Sequence, residues 1–141
     1  MKFFTLDPEV AGGMGKNTRL DATVHPPIVK HLHYELDAWL GDDLVQTFPC
    51  YLVTSALWEK LKPLRPTGVQ PAAAEVTVTP EFHQLHPAKP IPALIWLHIQ
   101  GVPGQDDFGL TQDARLVVSE RVLSLAQACH VENCSVSPFT H

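Results

Sequence analysis

No stretch of this chain approaches the ~20 consecutive apolar residues that a membrane-spanning helix needs. Positive charge is scarce as well. Lys and Arg number 10 against 15 Asp and Glu, a net charge of -5. Nothing resembles the basic stripe that phosphate contacts demand, which argues against a nucleic-acid ligand. Cysteine is limited to Cys50, Cys129 and Cys134, with no CxxC pair. That usage fits reduced, mostly buried thiols better than a disulfide framework. Catalytic signatures are also missing. There is no GxxxxGK[ST], HExxH or DxDxDG pattern, and no GxSxG elbow surrounds Ser55, Ser119 or Ser124. Nothing near Cys50 in sequence would depress its pKa. The expectation is a protein without catalytic residues, cofactor or resident metal. The N-terminus, Met1 to Leu6, begins like a signal peptide, but Asp7, Pro8 and Glu9 cut its apolar region short. A first strand in a cytoplasmic protein is expected there instead.

What is present points to a single folded domain over residues 1–141. The hydrophobic share is 45%, enough for a real core. Thirteen prolines confine helix to a few places. The fold class expected is α+β, with a mixed or antiparallel sheet and two or three short helices. Gly12, Gly13 and Gly15 read as a surface loop. His31 to Leu36 alternates polar and apolar, so Leu32, Tyr34 and Leu36 face one way on a half-buried strand. Asp37 to Asp43 reads as a corner with Trp39 and Leu40 as apolar plugs. Residues 44–48 fit a helical turn or a strand start equally well.

Cys50 to Val53 is rich in strand formers. After it, Thr54 or Ser55 is placed to cap a helix whose stripe is Leu57, Trp58, Leu61 and Leu64. Further strands are expected near Val69 and over Glu75 to Thr79, with a short helical turn after Pro80. Ala93 to Ile99 is the most apolar run and reads as a central strand buried on both faces. Gly101 to Gly109 is an opening loop, Arg115 to Val118 a strand, and Ser119 the cap of a helix carrying Val122, Leu123, Leu125, Ala126 and Cys129. Cys134 to Pro138 closes the chain as a strand.

Two stretches share one grammar. Gly41-Asp42-Asp43-Leu44, followed by Leu52-Val53-Thr54, matches Asp106-Asp107-Phe108, followed by Val117-Val118-Ser119, at a distance of 64 to 65 positions. One reading is an internal duplication of strand, Asp-Asp corner, strand, capped helix and strand, with halves at 31–79 and 93–139. The other is chance, because an apolar strand ending in a Ser or Thr cap is common.

The paired carboxylates have their own alternatives. Clustered carboxylate oxygens suit a hard cation, and like charges in contact split their pKa values as an acid–base pair requires. A small metal-dependent enzyme using the Asp pairs and a His is therefore the competing functional reading. Against it, Asp strongly prefers turns and caps. In that case one Asp of each pair serves the backbone and the other faces water, open to a basic partner. Eight histidines add further metal candidates, His31 with His33 and His83 with His86, but the spacing lacks any regular ligand pattern. Trp39 beside Asp42 and Asp43 would make an aromatic and acidic patch of the kind interfaces favour.

A wider set of residues carries a resemblance. It comprises Pro26-Pro27-x-Val29-x-x-Leu32-His33-Tyr34-Glu35-x-Asp37-x-Trp39-Leu40-Gly41-Asp42-Asp43-Leu44, then Phe48-Pro49-Cys50-Tyr51-x-Val53-Thr54, Asp106-Asp107-Phe108-Gly109 and Leu116-Val117-Val118-Ser119-Glu120-Arg121. Together these resemble a family of small bacterial proteins, the predicted immunity proteins of polymorphic toxin systems. The resemblance spans most of the chain from Pro26 to Phe139. It implies a cytoplasmic antitoxin that binds one cognate toxin domain and blocks it, with no catalytic residues of its own. Nuclease-type toxins are often basic, so an acidic inhibitor would be steered towards them. The toxin-binding candidates are then Glu35, Trp39, Asp42, Asp43, Asp106 and Asp107.

Overall fold

Short strands separated by proline and glycine turns make up more of the chain than its three short helices do. The computed structural model describes residues 2–140. The chain runs through β1 (Phe3–Asp7), β2 (Gly12–Met14), β3 (Arg19–Asp21), β4 (Ile28–His31), β5 (His33–Leu36), β6 (Leu44–Thr47) and β7 (Cys50–Thr54) before its first helix, α1 (Ser55–Leu61). A 3-10 turn at Lys62–Leu64 leads to β8 (Val69–Ala72), β9 (Glu75–Val78) and α2 (Pro80–Leu85). Then come β10 (Leu94–Ile99), β11 (Phe108–Leu110), β12 (Leu116–Ser119), α3 (Glu120–Gln127) and β13 (Ser135–Pro138). The expected α+β class with short helices is what the chain adopts.

Two antiparallel four-stranded sheets form the frame, in the orders β11-β12-β1-β13 and β6-β7-β10-β8. They match in register. Leu44 lies opposite Val53 in one hairpin and Phe108 opposite Val118 in the other. The residue after each, Thr54 or Ser119, is the N-cap of the following helix. Thr54 then pairs with Leu94, and Ser119 with Phe3. The strand after each helix, β8 or β13, closes the far edge of its sheet. On this topology the counterpart of β10 is β1, which lies outside residues 31–79. Each hairpin–helix–strand unit thus borrows the strand that precedes the other unit.

Packing follows from strand alternation. Tyr51 and Val53 of β7 enter a first core with Leu6, Leu97, Leu116 and Val118, covered by Leu57, Trp58 and Leu61 of α1 and Val122 and Leu123 of α3. Cys50 and Leu52, on the other face of β7, enter a second core with Tyr34, Leu36, Phe82 and Trp96. All five residues of β7 and all four of β12 are buried, so these two strands are covered on both faces along their length. β10, expected in that role, keeps Ile95, His98 and Ile99 half-buried. Truncating a fully buried leucine such as Leu52 or Leu116 would cost about 2–5 kcal/mol.

The second core rests on a smaller sheet, β2-β5-β9, in which β5 pairs with β9 in parallel and with β2 antiparallel. Here the sequence reading needs correction. Gly12 and Gly13 belong to a strand and not to a surface loop. A Cβ on Gly12 would fall 2.0 Å from the Glu35 carbonyl oxygen, so the close approach of β2 to β5 demands glycine. Gly15 has the same cause, since its Cβ would meet the His33 ring at 2.2 Å. His33 itself is buried and does not line a polar face. Its Nδ1 accepts from the Asn17 N–H, so Nε2 carries the proton donated to Thr77 Oγ1 at 2.7 Å. The open choice at 44–48 resolves as strand β6. Leu40 is no plug: its side chain is 66% exposed.

Candidate binding surface

Each Asp-Asp corner sits where a hairpin meets the cap of its helix. Asp43 Oδ1 accepts from Thr54 Oγ1 at 2.8 Å, and Thr54 Oγ1 accepts from the Leu57 N–H. Asp107 Oδ1 accepts from Ser119 Oγ at 2.6 Å, and Ser119 Oγ accepts from the Val122 N–H. In both cases the carboxylate turns the hydroxyl so that its lone pair faces the first free amides of the helix. Negative charge there also complements the helix dipole.

The second oxygen of each carboxylate reaches across to the other unit. Asp43 Oδ2 accepts from the His130 N–H, in the loop after α3. Asp107 Oδ2 accepts from the Thr67 N–H, in the loop after α1. The two corners are reciprocal braces. Asp107 has an additional partner: Arg121 donates to it from Nε at 2.9 Å and from Nη2 at 2.6 Å. The Arg121 guanidinium, helped by Ser119 and Thr67 against the cost of burial, holds the Asp107 carboxyl well below the usual carboxylate range.

The first Asp of each pair is also engaged. Asp42 is 2% exposed and accepts from Asn133 N and Nδ2 at 2.7 and 3.1 Å. Asp106 accepts from the Val102 N–H at 2.8 Å and closes its own loop. The expectation that one Asp of each pair simply faces water is therefore corrected: all four carboxylates have internal donors. Asp42 and Asp107, at 2% and 7% exposure, lie inside the fold, while Asp43 and Asp106 stay partly exposed. The physical reason is that each hairpin leaves amides and a cap hydroxyl needing acceptors in a dry place.

Glu35 lies partly exposed on β5. Trp39 is partly buried against the second core. Its indole N–H donates to the Asp42 carbonyl at 2.9 Å, and the Lys89 ammonium stands 4.7 Å from its ring centroid while donating to the Trp39 carbonyl. Such a cation over a partly exposed indole contributes about 0.5–1 kcal/mol. The aromatic and acidic residues are thus adjacent, but through the Asp42 backbone and not through its carboxylate. Among the described residues, no group of three or more His, Cys, Asp or Glu converges where it would hold a metal ion.

Glu9 was not singled out by sequence, yet it is 7% exposed. Its Oε2 accepts from the Leu40 N–H at 2.8 Å, while Oε1 is buried without a partner. Burial, and then the nearby charge of Asp42, pushes its carboxyl up.

A groove of about 360 Å³ was likewise missed. Pro26, Pro27 and Val29 form one wall, Pro49 and Cys50 another. Trp96 and His98 of β10 stand across from Leu110 and Ala114. The His98 ring meets the Trp96 indole edge-on at a centroid distance of 4.1 Å. Two peptide bonds at this groove, His25-Pro26 and Phe48-Pro49, are cis. Burial pushes the Cys50 thiol up to about 12, so it is no nucleophile at neutral pH. The three cysteines are free, as expected, but only Cys50 is fully buried. The proline pairs were visible in the sequence; their meeting with residues 96–114 was not. Among the described residues, no helix is long and apolar enough to cross a membrane. No family model matches the chain, and no curated protein matches it.

Proposed function

We propose that this chain is an immunity protein that binds a cognate bacterial toxin domain in the cytoplasm and neutralises it by occlusion, without chemistry of its own. The observation that carries the reading is the motif set running from Pro26-Pro27 through Trp39-Leu40-Gly41-Asp42-Asp43 to Leu116-Val117-Val118-Ser119-Glu120-Arg121. Two features support it. Pro26, Pro27, Val29, Pro49 and Cys50 of that set line one groove. The net charge of -5 favours encounter with a basic partner. Of the six candidate contacts, Glu35, Trp39, Asp43 and Asp106 remain partly exposed and available. Asp42 and Asp107 serve the interface only by shaping the corners beside it.

The test is to co-express the chain with the candidate toxin domain taken from any long open reading frame that neighbours its gene. Survival of cells that otherwise die, with co-purification of the two proteins, is the expected result. Cell death with no complex formed would overturn the reading.

A further inference from the structure

The matched sheets generate two matched clefts. The first is the groove already described, where β10 faces the end of β11 and the turn at 111–114. The second, about 450 Å³, lies where β1 faces the end of β6, the turn at 48–49 and Tyr51 of β7, and Ala114 borders both. Thr5 and Leu6 of β1 hold in the second cleft the register places that Trp96 and Leu97 of β10 hold in the first. Tyr51 ties the two turns together by donating its hydroxyl to the Ala114 carbonyl at 2.7 Å.

Their chemistry has parted. The second cleft carries Asp7, Asp113 and Arg115, and those groups are satisfied internally: Gln46 Nε2 donates to Asp7 Oδ1 at 2.7 Å, and Arg115 Nε to Asp113 Oδ2 at 3.1 Å. The first cleft is lined by no Asp, Glu, Lys or Arg. Its polar side chains are the neutral Gln100, Thr111 and Gln112, with His98 at the Trp96 face. In a chain of net charge -5, a concavity lined by no carboxylate, ammonium or guanidinium desolvates an apolar group without stranding one of those ions. Its volume suits one large side chain. Gln100 and Gln112 are exposed at the rim, where their amides can bond the backbone that carries it.

We propose that the groove at Pro49, Trp96 and Leu110 is an anchor pocket that receives one large uncharged side chain, aromatic or branched aliphatic, from the partner protein. This rests on the binding role proposed above. Interface energy concentrates where such a side chain fills a preformed pocket, with a polar rim excluding water. The charged second cleft is the matched surface that does not bind it.

The probe is N-acetyl-L-tryptophanamide, titrated into the protein while the Trp96 indole N–H and the His98 ring are followed by NMR. Saturable shifts at both are expected. They should be lost in Gln112→Trp, which plugs the groove, and retained in Ser135→Glu, in the second cleft. Absence of shifts, or equal shifts in the plugged variant, overturns the proposal. In the co-expression assay, Gln100→Glu with Gln112→Glu should weaken toxin binding at least tenfold while leaving the melting temperature unchanged. If the wild type protects and this variant protects equally, the anchor pocket is wrong and the immunity reading stands. If the wild type does not protect, the immunity reading falls and the titration alone decides the pocket.

Discussion

Asp107 divides its carboxylate among the Ser119 hydroxyl, the Thr67 N–H and the Arg121 guanidinium. Asp43, at the matching place in the other sheet, has the Thr54 hydroxyl and the His130 N–H and no guanidinium. The reason is local. The second residue after the cap is Arg121 in one unit and Ala56 in the other. Both corners therefore share a scaffold of cap hydroxyl and cross-unit amide, and one adds an ion pair to it. The comparison separates what the scaffold contributes from what the charge contributes. Arg121 is about half exposed, so solvent screens the pair, and most of the value of Asp107 lies in the buried donors it satisfies.

The strongest way to break this comparison is Asp107→Ala. It strands a buried hydroxyl, an amide and a guanidinium, and should cost about 3–4 kcal/mol, read from urea unfolding. A loss below that of Asp43→Ala would show the braces to be unequal in the opposite sense. Asp43→Ala itself should cost about 2 kcal/mol, since two donors lose their acceptor and no cation is involved. The caps come next. Ser119→Ala and Thr54→Ala should each cost about 1 kcal/mol. Each should couple to its own carboxylate in a double-mutant cycle and not to the other.

Acid sharpens the same contrast. Asp107 has a depressed carboxyl in the fold, so its contribution is complete above the unfolded value of about 3.9 and drains away as pH falls below it. An Asp107→Asn variant should lose that acid-limb slope in pH-dependent unfolding, and Asp43→Asn should keep it. Glu9 has the smallest expected effect and the opposite sign. Its raised carboxyl means the native state holds the proton more tightly, so stability falls as pH rises through the folded value. Glu9→Gln, which still offers an oxygen to the Leu40 N–H, should be at least as stable as wild type at pH 7. A marked destabilisation at that pH would show that the charge itself is needed.

Local grammar was legible wherever neighbours in sequence decide the outcome. The cap at Ser119, a cap at Thr54 or Ser55 that the structure places at Thr54, the stripe from Leu57 to Leu64, whose helix stops at Leu61, and the alternation of Leu32, Tyr34 and Leu36 all follow from short-range rules. Residues 12–14 were misread because a glycine cluster looks like a loop until a second strand presses against it. Phe108 and Gly109 were assigned to a loop for a similar reason. A three-residue strand with Gly109 at its centre has almost no periodicity of its own, and its pairing with β12 defines it. The four aspartates were read as corner residues, and they lie at corners. Their burial was hidden, because Asn133, His130 and Thr67, which take up their oxygens, are distant in sequence.

The amino-acid order by itself pointed to an α+β chain, two Asp-Asp corners ahead of Ser or Thr helix caps, and the inward sides of α1 and α3. These depend on contacts within a dozen residues, where backbone preference and side-chain period act directly. Tertiary structure alone decided that β1 joins β12 and β13 at the other end of the chain, while β10 joins β7 and β8. It also decided that one of two matched clefts is lined by no Asp, Glu, Lys or Arg while the other carries Asp7, Asp113 and Arg115. Antiparallel pairing is specified by which exposed edges meet, and that depends on the closure of long loops and the burial of both cores together. No short window of sequence holds that information.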